Sequence, residues 1–349
     1  MGNPIDENAA GYSAQSTLPL ITEIIKENKN KINYIGSLSF EDRDTAGIQC
    51  LLADEQISFL LKREKIAISV FYLIDQSTYD EKVKQHRKFV KNFLEKRGIA
   101  SYYFICCDFH DPRSVLDELI KRDAEIICRY SYLDISTLTR SLGSYLMRVF
   151  QLTKGKLVYF EPMKYGNILS NGLEEIDFYP ELYERSDPNK EDVLIIPSGH
   201  EIERPRLVIE DLDPAKVVFI VPRGDDTPEH ANWNREAQKK INELIAQLPL
   251  KRDSIEIRYT PSHIYQTNLC DLEKALDDHP AADYNRSVAP MGPKIINFAL
   301  TTLTSLKKDI CVYDAIPEYY NTNDYSRGVR IKNAYSFPLR LEERINYPY

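Results

Sequence analysis

The 349-residue chain lacks any apolar run long enough to cross a membrane. Its longest runs, such as Ile66 to Ile74, are strand-length. The first twenty residues carry acidic and polar groups ahead of any apolar stretch, with no basic start and no cleavable core. They read as a loose N-terminal arm over 1–20 and not as a signal peptide. The six cysteines (Cys50, Cys106, Cys107, Cys128, Cys270 and Cys311) show no C-x-x-C pairing or finger spacing. A zinc site is therefore not expected, and reduced, mostly buried thiols are. Positive charge is also short, with 45 Lys and Arg against 53 Asp and Glu, a net charge of −8. The molecule as a whole should repel a nucleic-acid backbone, so general DNA binding is not expected. These absences point to a soluble cytoplasmic protein without membrane contact.

Familiar chemical signatures are missing as well. There is no Walker A loop and no G-x-G-x-x-G after a strand, so ordinary ATP or NAD use, and hence a resident cofactor, is not expected. Neither H-E-x-x-H nor paired His/Cys spacing argues for a metal. Pro197-Ser198-Gly199-His200 only superficially matches a nucleophile elbow. The basic run Lys82, Lys84, Arg87, Lys88, Lys91 lies on one helix and reads as a solvated face. The scattered histidines 86, 110, 230, 263 and 279 suggest no role.

What is there is 43% hydrophobic and 28% charged, an ordinary globular composition. Strand-like and helix-like segments alternate. The pattern predicts strands at 31–37, 66–74, 101–107, 125–130 and 156–160, with helices over 41–62, 80–97, 112–121 and 137–150 between them. Val83, Val90, Phe93 and Leu94 make one helical stripe. Continuous apolar strands between amphipathic helices indicate a parallel sheet covered on both faces. The order then repeats: strands at 193–196, 216–221, 254–259, 285–289 and 310–316, helices over 201–211, 230–247, 267–278 and 293–308. The expected fold is therefore α/β, two tandem Rossmann-like halves over 21–179 and 193–349. Each half is a mostly parallel five-stranded sheet, and a linker spans 180–192. The ends of the halves support duplication. Pro162, Tyr165, Ser170 and Gly172 follow the fifth strand of the first, and Pro317, Tyr320, Ser326 and Gly328 that of the second, with one inserted residue.

In open parallel sheets ligands bind beyond the carboxyl ends of the strands, at the strand-order switch. Three kinds of loop should meet there. The loop after each opening strand carries a small polar residue or histidine, an acid and an arginine: Ser39, Glu41, Arg43 in the first half, His200, Glu201, Arg204 in the second. Ser39 and His200 then read as ligand contacts, with Glu41 and Glu201 accepting hydrogen bonds from a ribose or base. Plain helix capping accounts for the same residues. The loop before the fourth helix is Ala289-Pro290-Met291-Gly292-Pro293-Lys294 in the second half. Gly292 permits close approach to the backbone, and Lys294 would add charge for an anion at the helix start. The first half has Ser136, Thr137 and Arg140 in that slot, where an N-cap explains the two hydroxyls equally well. The third kind is the repeated Pro-x-x-Tyr…Ser-x-Gly loop, either a wall whose Tyr165 and Tyr320 stack on a base or an exit loop with a type II turn.

Gly292 and Lys294 in the late loop, Ser39 and His200 in the early loops, and the fused pair of halves resemble the CRISPR-associated Rossmann-fold (CARF) sensors and their single-chain relatives, the SAVED domains. The resemblance runs across about 31–330. It departs at Pro293, where those families favour threonine, and in the first half, which has no glycine in that loop. It implies binding of cyclic or linear oligonucleotide messengers in bacterial antiviral defence or a stress pathway, with a partner effector or a homo-oligomer providing the output. Two alternatives stand beside it. One is a hydrolase acting on a nucleotide, with Glu41 or Glu201 as general base and His200 as acid. The other is a scaffold subunit of a defence complex, to which the 23 tyrosines would lend interface area.

Overall fold

The computed structural model describes residues 31–78, 80–150, 155–166, 169–178, 186–224, 228–307, 309–323 and 325–338. The arm expected over 1–20 and residues 180–185 of the expected linker lie outside these. The first half runs β1 (Lys31–Leu38), α1 (Ala46–Ala53), α2 (Glu55–Lys62), β2 (Ala67–Asp75), α3 (Glu81–Lys96), β3 (Ser101–Cys107), α4 (Pro112–Arg122), β4 (Tyr130–Asp134), α5 (Arg140–Phe150) and β5 (Gly155–Glu161). Three short strands follow, β6 (Lys164–Tyr165), β7 (Ser170–Asn171) and β8 (Glu175–Phe178). The second half repeats the order as β9 (Glu191–Pro197), α6 (Glu203–Leu212), β10 (Lys216–Pro222), α7 (Pro228–Ile245), β11 (Ile255–Thr260), α8 (Tyr265–Asp277), β12 (Tyr284–Val288), α9 (Lys294–Leu306) and β13 (Ile310–Ile316). It also ends in three strands, β14 (Tyr319–Tyr320), β15 (Ser326–Arg327) and β16 (Arg330–Pro338).

In the first sheet β5, β4, β1, β2 and β3 lie side by side and parallel, the Rossmann-like order. The second sheet has β13, β12, β9, β10 and β11 in the same order, also parallel. Each gains an antiparallel sixth strand that the sequence reading did not anticipate. β16, from the end of the chain, pairs with β5, and β8, from the middle, pairs with β13. The halves thus exchange their edge strands. Among the described residues, one compact unit consists of those up to Gly166 together with those from Ser326, and the other of those within Asn167–Tyr325. The expected division at 179 and 193 differs because the chain passes to the other unit at Asn167, soon after β5, and again at Ser326, after β14.

The inner strands β1, β2, β4, β5, β9 and β10 are largely buried on both faces, as parallel sheets require, while the edge strands β3 and β11 are half-buried. Tyr34, Val70 and Tyr72 are core residues of unit 1, and Leu194, Phe219 and Val221 of unit 2. The α3 helix shows why the periodicity was readable. Asp80 caps it by accepting from Val83 N, the stripe Val83, Val90, Leu94 is fully buried, and Gly98 at φ +72° follows its end. Burying those three side chains contributes roughly 5–9 kcal/mol before chain entropy is subtracted. Among the described residues no helix is long and apolar enough to cross a membrane.

Three expectations are corrected. Residues 126–128 form a 3-10 turn and the strand begins at Tyr130. The apolar Ile126-Ile127-Cys128 run mimics a strand, but Arg129 is drawn back to Asp123 and Glu125, and the Ile126 carbonyl accepts from Asn33 Nδ2. The helix expected over 41–62 is a 3-10 turn and two helices, broken at Asp54, whose carboxylate caps α2 through Ile57 N. Of the cysteines, only Cys107 and Cys311 are buried; Cys106 and Cys128 are exposed.

Candidate functional site

The strand order reverses between β1 and β4 in unit 1, and between β9 and β12 in unit 2, and the loops leaving those strands define each candidate site.

In unit 1 the loop after β1 is almost wholly inside the protein. Arg43 is 1% exposed. Its Nε donates to Glu41 at 2.9 Å and its Nη1 to the Phe160 carbonyl at 3.0 Å and the Tyr159 hydroxyl at 3.3 Å. The rings of Tyr159 and Tyr165 flank the guanidinium. Burial works against its charge, but Glu41 outweighs that and holds Arg43 well above its ordinary value. Glu41 also accepts from Ser326 Oγ. Ser39 Oγ accepts from Glu41 N, and Ser39 N donates to Asp44, a local turn of the kind hydroxyls and carboxylates build.

The loop after β4 is tied to the same edge. Thr137 donates to the Ser37 carbonyl at 3.0 Å, and the two hydroxyls lie 2.8 Å apart. Ser136 Oγ accepts from Phe160 N, so both hydroxyls of the expected N-cap hold neighbouring strands instead. α5 starts only at Arg140, which is partly exposed. Beneath the loops Tyr34 donates to Asp134 at 2.7 Å. Burial pushes that phenol well above its ordinary value, so it stays a donor.

Unit 2 repeats the design. Arg204 pairs with Glu201 and donates to the Ala315 carbonyl at 3.0 Å, and Ser170 Oγ donates to Glu201. Ala315 in β13 stands where Phe160 stands in β5. The duplicated Ser, Glu and Arg that sequence reasoning placed around a ligand thus come together, but on one another. Each trio links an exchanged arm, a first-strand loop and a fifth strand. Tyr165 likewise faces Tyr159, with the hydroxyls 3.0 Å apart, and Tyr320 packs edge-on to Tyr325. Gly172 and Gly328, at φ +69° and +65°, form equivalent turns within the arms.

At the switch of unit 2 the Ala289–Pro293 loop lies on the end of β9. Met291 N donates to the Pro197 carbonyl, and a Cβ on Gly292 would stand 3.0–3.1 Å from the backbone of Pro197 and Ser198. The close approach Gly292 permits is to the chain itself. α9 then begins at Lys294, partly exposed, and its N-cap residue Pro293 makes no side-chain capping bond. His200 packs against Trp233 of α7. It is 8% exposed, and its Nε2 has no partner. Burial, with the nearby Lys240 charge, lowers it to about 3, so the ring is neutral at neutral pH.

Sequence reasoning missed two groupings. The imidazole of His86 on α3 lies 2.8 Å from Asp44. His230 and His263 stack 5.1 Å apart, beside the carboxyl ends of β10 and β11, where Asn234 donates to the Arg223 carbonyl and Ser262. No local spacing signals either, since the partners are separated by more than thirty residues. Among the described residues, no cluster of His, Cys, Asp and Glu could hold a metal ion.

No family model matches the chain, and no curated protein is significantly similar to it. Among solved structures it is similar to a protein from Pseudomonas aeruginosa UCBPP-PA14 described as a universal stress protein. The identity is 10%, the TM-score is 0.25, and the match covers 83% of this chain and 94% of that one. A likeness at that score carries no argument about the site.

Proposed function

We propose that this protein binds a nucleotide or oligonucleotide at the carboxyl edge of its sheets and acts as a sensor. The observation that carries the reading is the late loop of unit 2. Gly292 presses that loop onto the end of β9, so that α9 opens at the strand-order switch with Lys294 first and no side-chain capping bond from Pro293. A lysine at that position opposes the helix dipole, and an anion bound there would be held by both the lysine and the helix start. Arg140 opens α5 in the corresponding place of unit 1.

Sensing is favoured over cleavage by what surrounds the acids. Glu41 and Glu201 are each paired with a buried arginine and accept from a serine, which leaves a general base little freedom. His200, neutral at pH 7, is a poor general acid there. The resemblance of the early and late loops to CARF and SAVED sensors extends the proposal to a cytoplasmic role in bacterial defence or stress, signalling through a partner effector.

The test is a thermal-shift screen against mono-, di- and cyclic oligonucleotides. Saturation at about 100 times the dissociation constant adds roughly 2.7 kcal/mol of stability. Lys294→Ala and Arg140→Ala should abolish that shift while leaving the unliganded midpoint nearly unchanged. Unchanged affinity in both variants overturns the site, turnover of the bound nucleotide overturns sensing, and silence across the panel favours the scaffold reading.

A further inference from the structure

The first-strand loop of unit 1 is held from one side and holds something itself. Its Glu41 and Asp42 carboxylates take the arm: Ser326 Oγ donates to Glu41, and Gly328 N to Asp42 at 2.9 Å. The loop is in turn gripped by α3. Lys82 pairs with Asp42 at 3.2 Å, and His86, one turn on, meets Asp44 through Nδ1 at 2.8 Å. The Asp44 side chain is 0% exposed. Its Oδ2 accepts from Ser39 N as well as from the imidazole, while its Oδ1 is buried without a partner. Two cations at i and i+4 of a helix therefore fix two carboxylates at i and i+2 of a loop, and that loop fixes the arm.

We propose that His86 and Asp44 form a proton-operated catch that sets how firmly the 326–338 arm is held against β5. The groups facing the pair are Glu41 and Asp42 from the loop, Lys82 from α3, and Tyr72 from β2, whose hydroxyl reaches the Asp44 carbonyl at 3.4 Å. Burial pushes Asp44 up to about 6, against the pull of the His86 bond. Burial also works against a charged His86, but the bond and charge of Asp44 prevail and hold it above its ordinary value. The catch is closed while Asp44 is ionised and His86 protonated. When pH falls through about 6, a proton taken by Asp44, with the orphan Oδ1 free to carry it, weakens the acceptor that Ser39 and His86 share. When pH rises through the elevated His86 value, the imidazole loses its charge and the bond weakens again. The first-strand loop of unit 2 carries the neutral His200.

The catch needs no ligand and is read in the full chain alone. Hydrogen exchange of the 326–338 amides is followed across the range from about pH 5 to pH 9 and corrected for intrinsic rates. Protection should peak near neutrality and fall on both sides, by roughly tenfold for one charge-assisted bond, while the arm at 170–178 shows no peak. His86→Gln should remove the alkaline limb, and Asp44→Asn both limbs. Lys82→Met should lower protection evenly across pH. Wild-type profiles in both catch variants, equal pH dependence in the two arms, or a Lys82→Met profile like that of His86→Gln would each overturn the catch.

Discussion

The β1 loop of unit 1 and the β9 loop of unit 2 perform the same task with the same three groups, and differ in what surrounds those groups. Each presents a glutamate to a serine of an exchanged arm and an arginine to a carbonyl of the fifth strand. Unit 1 adds two tyrosines around Arg43, a second carboxylate on the arm through Asp42, and the His86–Asp44 pair under α3. Beside its own first-strand loop, unit 2 sets a neutral histidine against Trp233. The shared trio is what strand exchange requires, because a buried edge strand needs its connector anchored. The additions in unit 1 are elaborations, and removing parts one at a time separates the two.

The largest effect is expected from the arginines. Arg43→Ala leaves Glu41 buried beside an uncompensated hole and should cost about 3–5 kcal/mol in denaturant unfolding. Arg204→Ala should cost less, because it strands a less buried carboxylate: the Glu201 side chain is 12% exposed against 6% for Glu41. Equal losses would show that the deeper burial of Glu41 adds nothing.

The arm glycines come next. An alanine at Gly172 or Gly328 meets a left-handed backbone, costing about 1–2 kcal/mol. At Gly172 the new Cβ also presses on the Cβ and carboxylate of Glu318, whereas at Gly328 it meets the pliable Met163 side chain. Gly172→Ala should therefore lower the unfolding midpoint more, and the reverse order would mean that the unit 1 arm is the more tightly confined.

The two serines overlap the glycines in size of effect. Ser326→Ala removes a buried hydrogen bond to a charged acceptor, worth about 1.5–3 kcal/mol, and Ser170→Ala a partly exposed one, worth about 1 kcal/mol. The difference reads directly in paired urea titrations. If Ser170→Ala proves the costlier, the extra contacts of unit 1 already hold its arm without Ser326.

Much of this was legible in the sequence, and the exceptions have physical reasons. Alternating buried strands and capped helices announce themselves locally, as Asp80 and the Val83, Val90, Leu94 stripe do. The repeat of Pro, Tyr, Ser and Gly after each fifth strand was visible too. That it marks an exchanged arm was not, because which edge a strand joins is decided by residues more than a hundred positions away, as with Ser326 and Glu41. The Ser, Glu and Arg of the first-strand loops attracted a ligand reading for a sound reason: polar groups at that edge usually point to one. A motif cannot reveal whether its partner is a solute or the chain. His86 and Asp44 left no trace in spacing at all.

The smallest effect at working pH separates the two histidines. His200 keeps a folded value near 3 because burial and Lys240 disfavour its charge, whereas the unfolded imidazole titrates at about 6.5. Above that unfolded value the two states bind equal protons and the group contributes nothing to the pH dependence. As pH falls below it, the unfolded chain gains a proton that the folded one refuses, so stability is lost, by somewhat under 1 kcal/mol at about pH 6 and increasingly below. His86 has the opposite sign, since its raised value makes its contribution fullest in acid and lost as pH rises through that value. His200→Gln should flatten the acid limb of the stability curve and His86→Gln the alkaline limb. An acid limb unchanged in His200→Gln would mean that the ring is protonated in the fold, and that its unpartnered Nε2 has found an acceptor.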